Sequence, residues 1–209
     1  MTAHVDDRIE SLSTLLGGRR GAMDASLPPL AFGVGWWATG QSVGWGVAVA
    51  VVVGAAVAAW RLSRRAKPRS VLVGLAGVCV AGMIALYTGR AQDFFLLQLL
   101  SNGASALAWA ISIVVHWPLL GVVVGVALRQ KTAWRRDPAL LRAYGRASWV
   151  WVGQYVLRLA VFLPLWALAL TGALAAARVA LTWPLIAACL AASWWVLRRS
   201  LPDGHPGLR

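Results

Sequence analysis

The chain has 209 residues, of which 59% are hydrophobic and only 13% charged, a balance outside that of an ordinary soluble domain. A formal net charge of +13 would suggest nucleic acid in a soluble chain, but here the basic residues sit in short loops between apolar runs. Composition therefore excludes a soluble nucleic-acid binder and leaves an integral membrane protein whose basic loops set topology and meet anionic lipid headgroups.

The opening MTAHVDDRIE carries acids where a secretory signal would be basic, so no cleaved leader is expected. Val5, Ile9, Leu12, Leu15 and Leu16 alternate with Asp6, Asp7, Arg8 and Glu10 at helical spacing, and Gly17-Gly18 supplies a stop. This predicts a short amphipathic cytoplasmic helix within an N-terminal segment, residues 1–26. Pro28-Pro29 reads as a helix start, because proline in a first turn forfeits no intrahelical bond, and a short crossing follows to about Thr39. After the turn Gly40-Gln41-Ser42, residues 43–60 return. The loop 61–69, RLSRRAKPR, holds five positive charges and no negative one, and residues 71–88 form the next span.

After a turn at residues 89–93 comes FFLLQLLSNGASALAWAISIVVH, residues 94–116, an apolar run with a polar seam. Gln98, Asn102, Ser105, Trp109, Ser112 and His116 recur at steps of four and three, the spacing of one helix face. The run is about 33 Å long by helical rise, enough to cross a hydrocarbon core of about 30 Å. Amides and hydroxyls are costly against lipid, so the seam is expected to face protein, water or a ligand. Pro118 ends or kinks this helix, and residues 119–128 are too few to span alone; they are a kinked extension, a re-entrant piece or an interfacial one. The loop 129–146 carries six basic residues against Asp137 alone. Residues 149–170 span, 171–177 turn, and 178–197 span again before Arg198-Arg199 and a tail, residues 200–209. Trp117-Pro118-Leu119-Leu120 is echoed by Trp183-Pro184-Leu185-Ile186, a weak sign of internal repetition. Cys79 and Cys189 lie inside apolar runs and make neither a disulfide framework nor a metal pair.

Of 20 lysines and arginines, only Arg90, Arg158 and Arg178 fall outside one set of loops and tails, leaving 17 on the side expected to be cytoplasmic. The expected architecture is an all-α, polytopic helical bundle. It has about six transmembrane helices in one domain, residues 27–199, a short interfacial or re-entrant helix, and both termini in the cytoplasm.

Arg158 lies about 15 Å into its span, near the bilayer midplane, and Asn102 reaches a similar depth from the other side. Gln154 precedes Arg158 by one turn. An intramembrane arginine costs at least about 2.5 kcal/mol on insertion scales, so it marks a functional site by default. The candidate polar cavity comprises Gln98, Asn102, Ser105, Gln154 and Arg158, with interhelical packing bonds as the plainer alternative. Arg90 and Asp93 form a candidate pair at the outer boundary. His116, at a helix end, is expected at headgroup level. There is no catalytic triad, paired carboxylates, HExxH or phosphate loop, so no enzyme, metal or cofactor is expected.

With these residues in view, the chain resembles an actinobacterial inner-membrane family of the DUF3159 type, a domain of unknown function. The resemblance rests on Gly17-Gly18-Arg19 before Leu27-Pro28, the block from Thr88 to Phe95, His116-Trp117-Pro118-Leu119, Trp134-Arg135 with Asp137-Pro138, and Trp183-Pro184-Leu185. More distantly it is similar to the intracellular septation protein A family, through a Leu-Pro opening the first span, an acid and Phe before the central helix, and a Pro-Leu element after it. That likeness implies a non-enzymatic envelope protein of the bacterial cytoplasmic membrane, supporting envelope integrity or septation through contacts with other envelope proteins. The alternative reading is a small homo-oligomeric transporter or lipid-handling protein that binds an anionic group at Arg158.

Overall fold

The computed structural model describes residues 18–127 and 133–200. The expected amphipathic helix before residue 17, Arg129 and Lys131 of the basic loop, and the tail after Ser200 lie outside the described residues. Those described form helices and turns: α1 (Gly18–Ala38), α2 (Val43–Ser63), α3 (Pro68–Thr88), a 3-10 turn (Ala91–Phe95), α4 (Leu96–Val114), α5 (Leu119–Ala127), a second 3-10 turn (Ala133–Arg136), α6 (Pro138–Ala167), α7 (Thr171–Ala180) and α8 (Trp183–Ser200). Five stretches are long and apolar enough to cross a membrane: Val43–Ser63, Pro68–Thr88, Ala91–Val114, Pro138–Ala167 and Thr171–Ser200. Their length and composition mark a multi-pass helical membrane protein. α1 is not among the five.

Two expectations are corrected. The first helix does not start at Pro28: α1 begins at Gly18 and carries Pro28 and Pro29 inside it. Each proline lacks an N–H for the carbonyl one turn earlier, and burial of both rings, Pro28 against α2, offsets that loss. Both rings are buried, and a β-carbon at Gly54 of α2 would lie 3.8 Å from Pro28 Cγ. Residues 171–177 are likewise no turn. TGALAAARVA is helical as α7, as alanine's high propensity allows. The last apolar stretch is instead interrupted later, at Leu181-Thr182, and Pro184 sits in the first turn of α8, where its missing donor costs nothing.

The chain divides into two compact units, described separately. In the unit of residues 18–100 and Ala160–Ala180, α1 packs along α2, α2 along α3, and α1 also against α7. Small residues let the backbones approach: a β-carbon at Gly33 would come within 2.9 Å of Ala175 Cβ, and one at Gly82 within 2.8 Å of Val47 Cγ1. Phe32 stacks on Phe94 with centroids 4.1 Å apart and meets Phe95 edge-on at 6.0 Å, and all three rings are buried.

In the unit of residues 101–159 and 181–200, the core gathers Leu120, Trp134, Leu140, Ala143, Tyr144, Ala147 and Leu197. α4 ends with His116 in the left-handed region (φ 56°), and the Trp117 N–H donates to the Ser112 carbonyl at 2.9 Å. This reversal makes α5 a separate nine-residue helix rather than a kinked extension of α4. α5 is pressed against Trp134 so closely that a β-carbon on Gly121 would sit 2.9 Å from the indole. Along the polar seam of α4, Gln98, Ser105, Trp109 and Ser112 are half-buried and His116 is exposed. Asn102 is buried, whereas Leu107, Ile111 and Val114 on other faces are exposed to the surroundings lipid would occupy.

Candidate functional site

The site is best built from the Trp109–Trp151 stack, whose rings lie 5.3 Å apart at 10° and join α4 to α6. Both indoles pack on a core cluster that contains Leu120, just past the end of α4, and Leu140, at the start of α6. Asn102 and Arg158 are each seven residues from the stack, about 10 Å along their helices, and Ser105 and Gln154 are each about one turn from it. A second register comes from α8: Trp151 Nε1 donates to Ser193 Oγ at 3.1 Å, and Arg158 Nη2 donates to the Leu181 carbonyl at 3.0 Å.

Arg158 thus meets the interruption between α7 and α8. Leu181 is outside any helix, so its carbonyl is free to accept, and the N-terminal turn of α8 begins two residues later. Several polar atoms of this unit are buried without a partner: Arg158 Nε, Gln154 Oε1, Asn102 Nδ2 and Ser148 Oγ. Asn102 and Gln154 are 5% and 4% exposed, so both amides are shielded from bulk solvent. Among the described residues this unit has one acid, Asp137, and its carboxylate caps α6 by accepting from the N–H groups of Ala139 (2.8 Å) and Leu140 (3.3 Å). No described carboxylate of the unit is left over for the Arg158 charge.

Gln98 stands apart from this group. It belongs to the other unit, where its Oε1 accepts from Arg178 Nη1. Arg178 lies two turns into α7, on the face that buries Thr171, Leu174 and Ala175. Sequence reasoning missed it because the preceding residues were expected to turn. Arg90 and Asp93 do come together, with Arg90 Nε 4.0 Å from Asp93 Oδ2. Asp93 is also a buried acceptor for Trp166 Nε1 at 2.9 Å, and the Arg90 guanidinium lies 5.4 Å over the Trp166 ring. Gln92, with its amide oxygen toward Arg90, accepts from Nε at 3.0 Å and Nη2 at 3.1 Å. His116 is exposed.

Arginines stacked on tryptophans mark several helix ends: Arg64 on Trp60 (4.5 Å), Arg135 on Trp117 (3.8 Å), Arg198 on Trp194 (4.8 Å) and Arg199 on Trp195 (4.4 Å). Such amphipathic pairs suit the headgroup layer of a bilayer.

No curated protein and no solved structure matches the chain. A family model does, over residues 16–203, which is nearly the whole chain and takes in every helix described above. The chain therefore belongs to the family described as "Protein of unknown function (DUF3159)".

Proposed function

We propose that this is a non-enzymatic, multi-pass protein of the bacterial cytoplasmic membrane that binds an anionic group, the phosphate of a lipid, at Arg158. In this reading it crosses the membrane six times with both termini in the cytoplasm, and works in lipid handling or transport as a homo-oligomer. The observation that carries it is the state of Arg158 itself. The guanidinium sits within an apolar span, reaches one backbone carbonyl at a helix interruption, keeps Nε without a partner, and has no described carboxylate of its own unit to neutralise it. Interrupted spans whose half-helix N-termini point at an anionic group are a recurring way of holding anions inside membranes. A guanidinium also matches phosphate oxygens in a forked geometry that lysine lacks. Asn102 Nδ2 and Gln154 Oε1, buried in the same unit, would add a donor and an acceptor for a protonated or hydroxylated headgroup.

The test is native mass spectrometry of the full-length protein in mild detergent, wild type beside Arg158→Leu. The wild type is expected to retain one more phospholipid per chain than the variant. Identical spectra would overturn the reading, return Arg158 to interhelical packing, and favour action through contacts with other envelope proteins, for which the basic loops are the surfaces to mutate.

A further inference from the structure

A cavity of about 550 Å³ opens in the unit of residues 18–100 and Ala160–Ala180, where three turns converge. Its lining comes from the end of α1 and the following turn (Trp36, Gln41), the turn after α3 (Arg90, Gln92) and the start of α7 (Thr171, Gly172). These turns lie at the end of α2 and α3 opposite the basic loop 61–69. Arg90 is the one charged residue in the lining.

The geometry points to a second, separate binding site here, taking a phosphate ester whose headgroup enters the cavity and engages Arg90. Arg90 is prepared for such a ligand. Gln92 holds its Nε and Nη2, Asp93 stands 4.0 Å from Nε, and Trp166 lies beneath the guanidinium plane. These contacts fix the fork while leaving both Nη1 hydrogens and one on Nη2 open to a ligand, in a side chain that is 53% exposed. Three donors on a pre-oriented plane favour an oxyanion with several oxygens over a neutral group. The first turn of α7 adds its dipole to the same cavity, since Thr171, Gly172 and Ala173 all line it. Trp36, Val43 and Leu170 give the remaining wall an apolar character, so the ligand class is a phosphate ester with an apolar or glycerol-like body. Two lining residues, Gln41 and Ala169, hold φ of 68° and 56°, a conformation costing roughly 1–2 kcal/mol for a residue with a β-carbon. The protein accepts that strain at the cavity rim, as functional rims commonly do.

The ligand could be a lipid headgroup or a soluble phosphate ester, and the experiment separates them. Full-length protein carrying Arg158→Leu, which silences the site proposed above, is titrated in detergent with dioctanoyl phosphatidylglycerol and, separately, with glycerol 3-phosphate. Binding is read by tryptophan fluorescence and calorimetry. Saturable binding of either probe is expected, weakened at least about tenfold by adding Arg90→Gln. Preference for the lipid assigns the site to a membrane amphiphile, and equal or tighter binding of glycerol 3-phosphate assigns it to a soluble ester. Should Arg90→Gln misfold, Gly172→Leu provides the second variant, because a β-carbon there meets nothing within 4 Å and the added side chain would fill the cavity mouth. Unchanged binding in a folded Arg90→Gln or Gly172→Leu protein would overturn the inference. So would absence of binding by both probes. Neither result bears on Arg158, which is already removed.

Discussion

Arg158 and Arg178 are both arginines within apolar, membrane-length stretches, yet their surroundings differ in kind. Arg178 donates to a side-chain amide, Gln98, on a neighbouring helix of its own unit. Arg158 donates to a backbone carbonyl left over by a helix interruption and keeps Nε buried without a partner, in a unit where Asn102 and Gln154 also hold a buried unpartnered amide atom. The first arrangement is an interhelical tie, whose worth comes from satisfying both members. The second is an unfinished one, whose missing acceptor a bound anion would supply. The contrast teaches that an intramembrane charge is informative through what remains unpaired around it.

The largest effect should come from breaking the Trp109–Trp151 stack that joins α4 to α6. Trp151→Ala removes a stacked indole and its bond to Ser193, and is expected to cost about 3 kcal/mol in a detergent unfolding titration. Lipid binding at Arg158 should fall with it. Next, Arg178→Leu and Gln98→Leu should each cost about 1–3 kcal/mol, because each removes one hydrogen-bond partner from the other. The double variant should cost less than the sum of the two, and additivity would show that the tie contributes nothing. His116→Gly, which relieves a left-handed residue at the end of α4, should raise stability by about 1 kcal/mol, read as a higher melting temperature. Smallest is Arg158→Leu without lipid. Exchanging an uncompensated buried charge for a hydrocarbon should change stability by no more than about 1 kcal/mol. A loss as large as that of Arg178→Leu would mean that Arg158 is also a tie.

Much of this was legible in the sequence. The step of four and three along Gln98, Asn102, Ser105 and Trp109 identified the inward face of α4, because helix period alone fixes which residues share a face. Asp93 three residues after Arg90 predicted their approach for the same local reason. What escaped were the long-range facts. Gln98 and Asn102 lie one turn apart on one face, but Gln98 is claimed by Arg178, eighty residues away, which no spacing rule announces. The true site of the last interruption, at Leu181-Thr182, was signalled by Trp183-Pro184, yet alanine-rich residues before it were mistaken for a turn. The continuation of α1 through Pro28 and Pro29 depends on packing against α2, which overrides a local breaker.

The central claim is that Arg158, and not Arg178, holds an anionic ligand. Its most direct test is the rise in melting temperature on adding phosphatidylglycerol, measured side by side for three proteins in the Arg90→Gln background, so that the turn-end cavity is silent. The parent and Arg178→Leu should both gain stability from the lipid, the latter from a lower starting point, while Arg158→Leu should gain none. An undiminished gain in Arg158→Leu, or its loss in Arg178→Leu alone, would contradict the account.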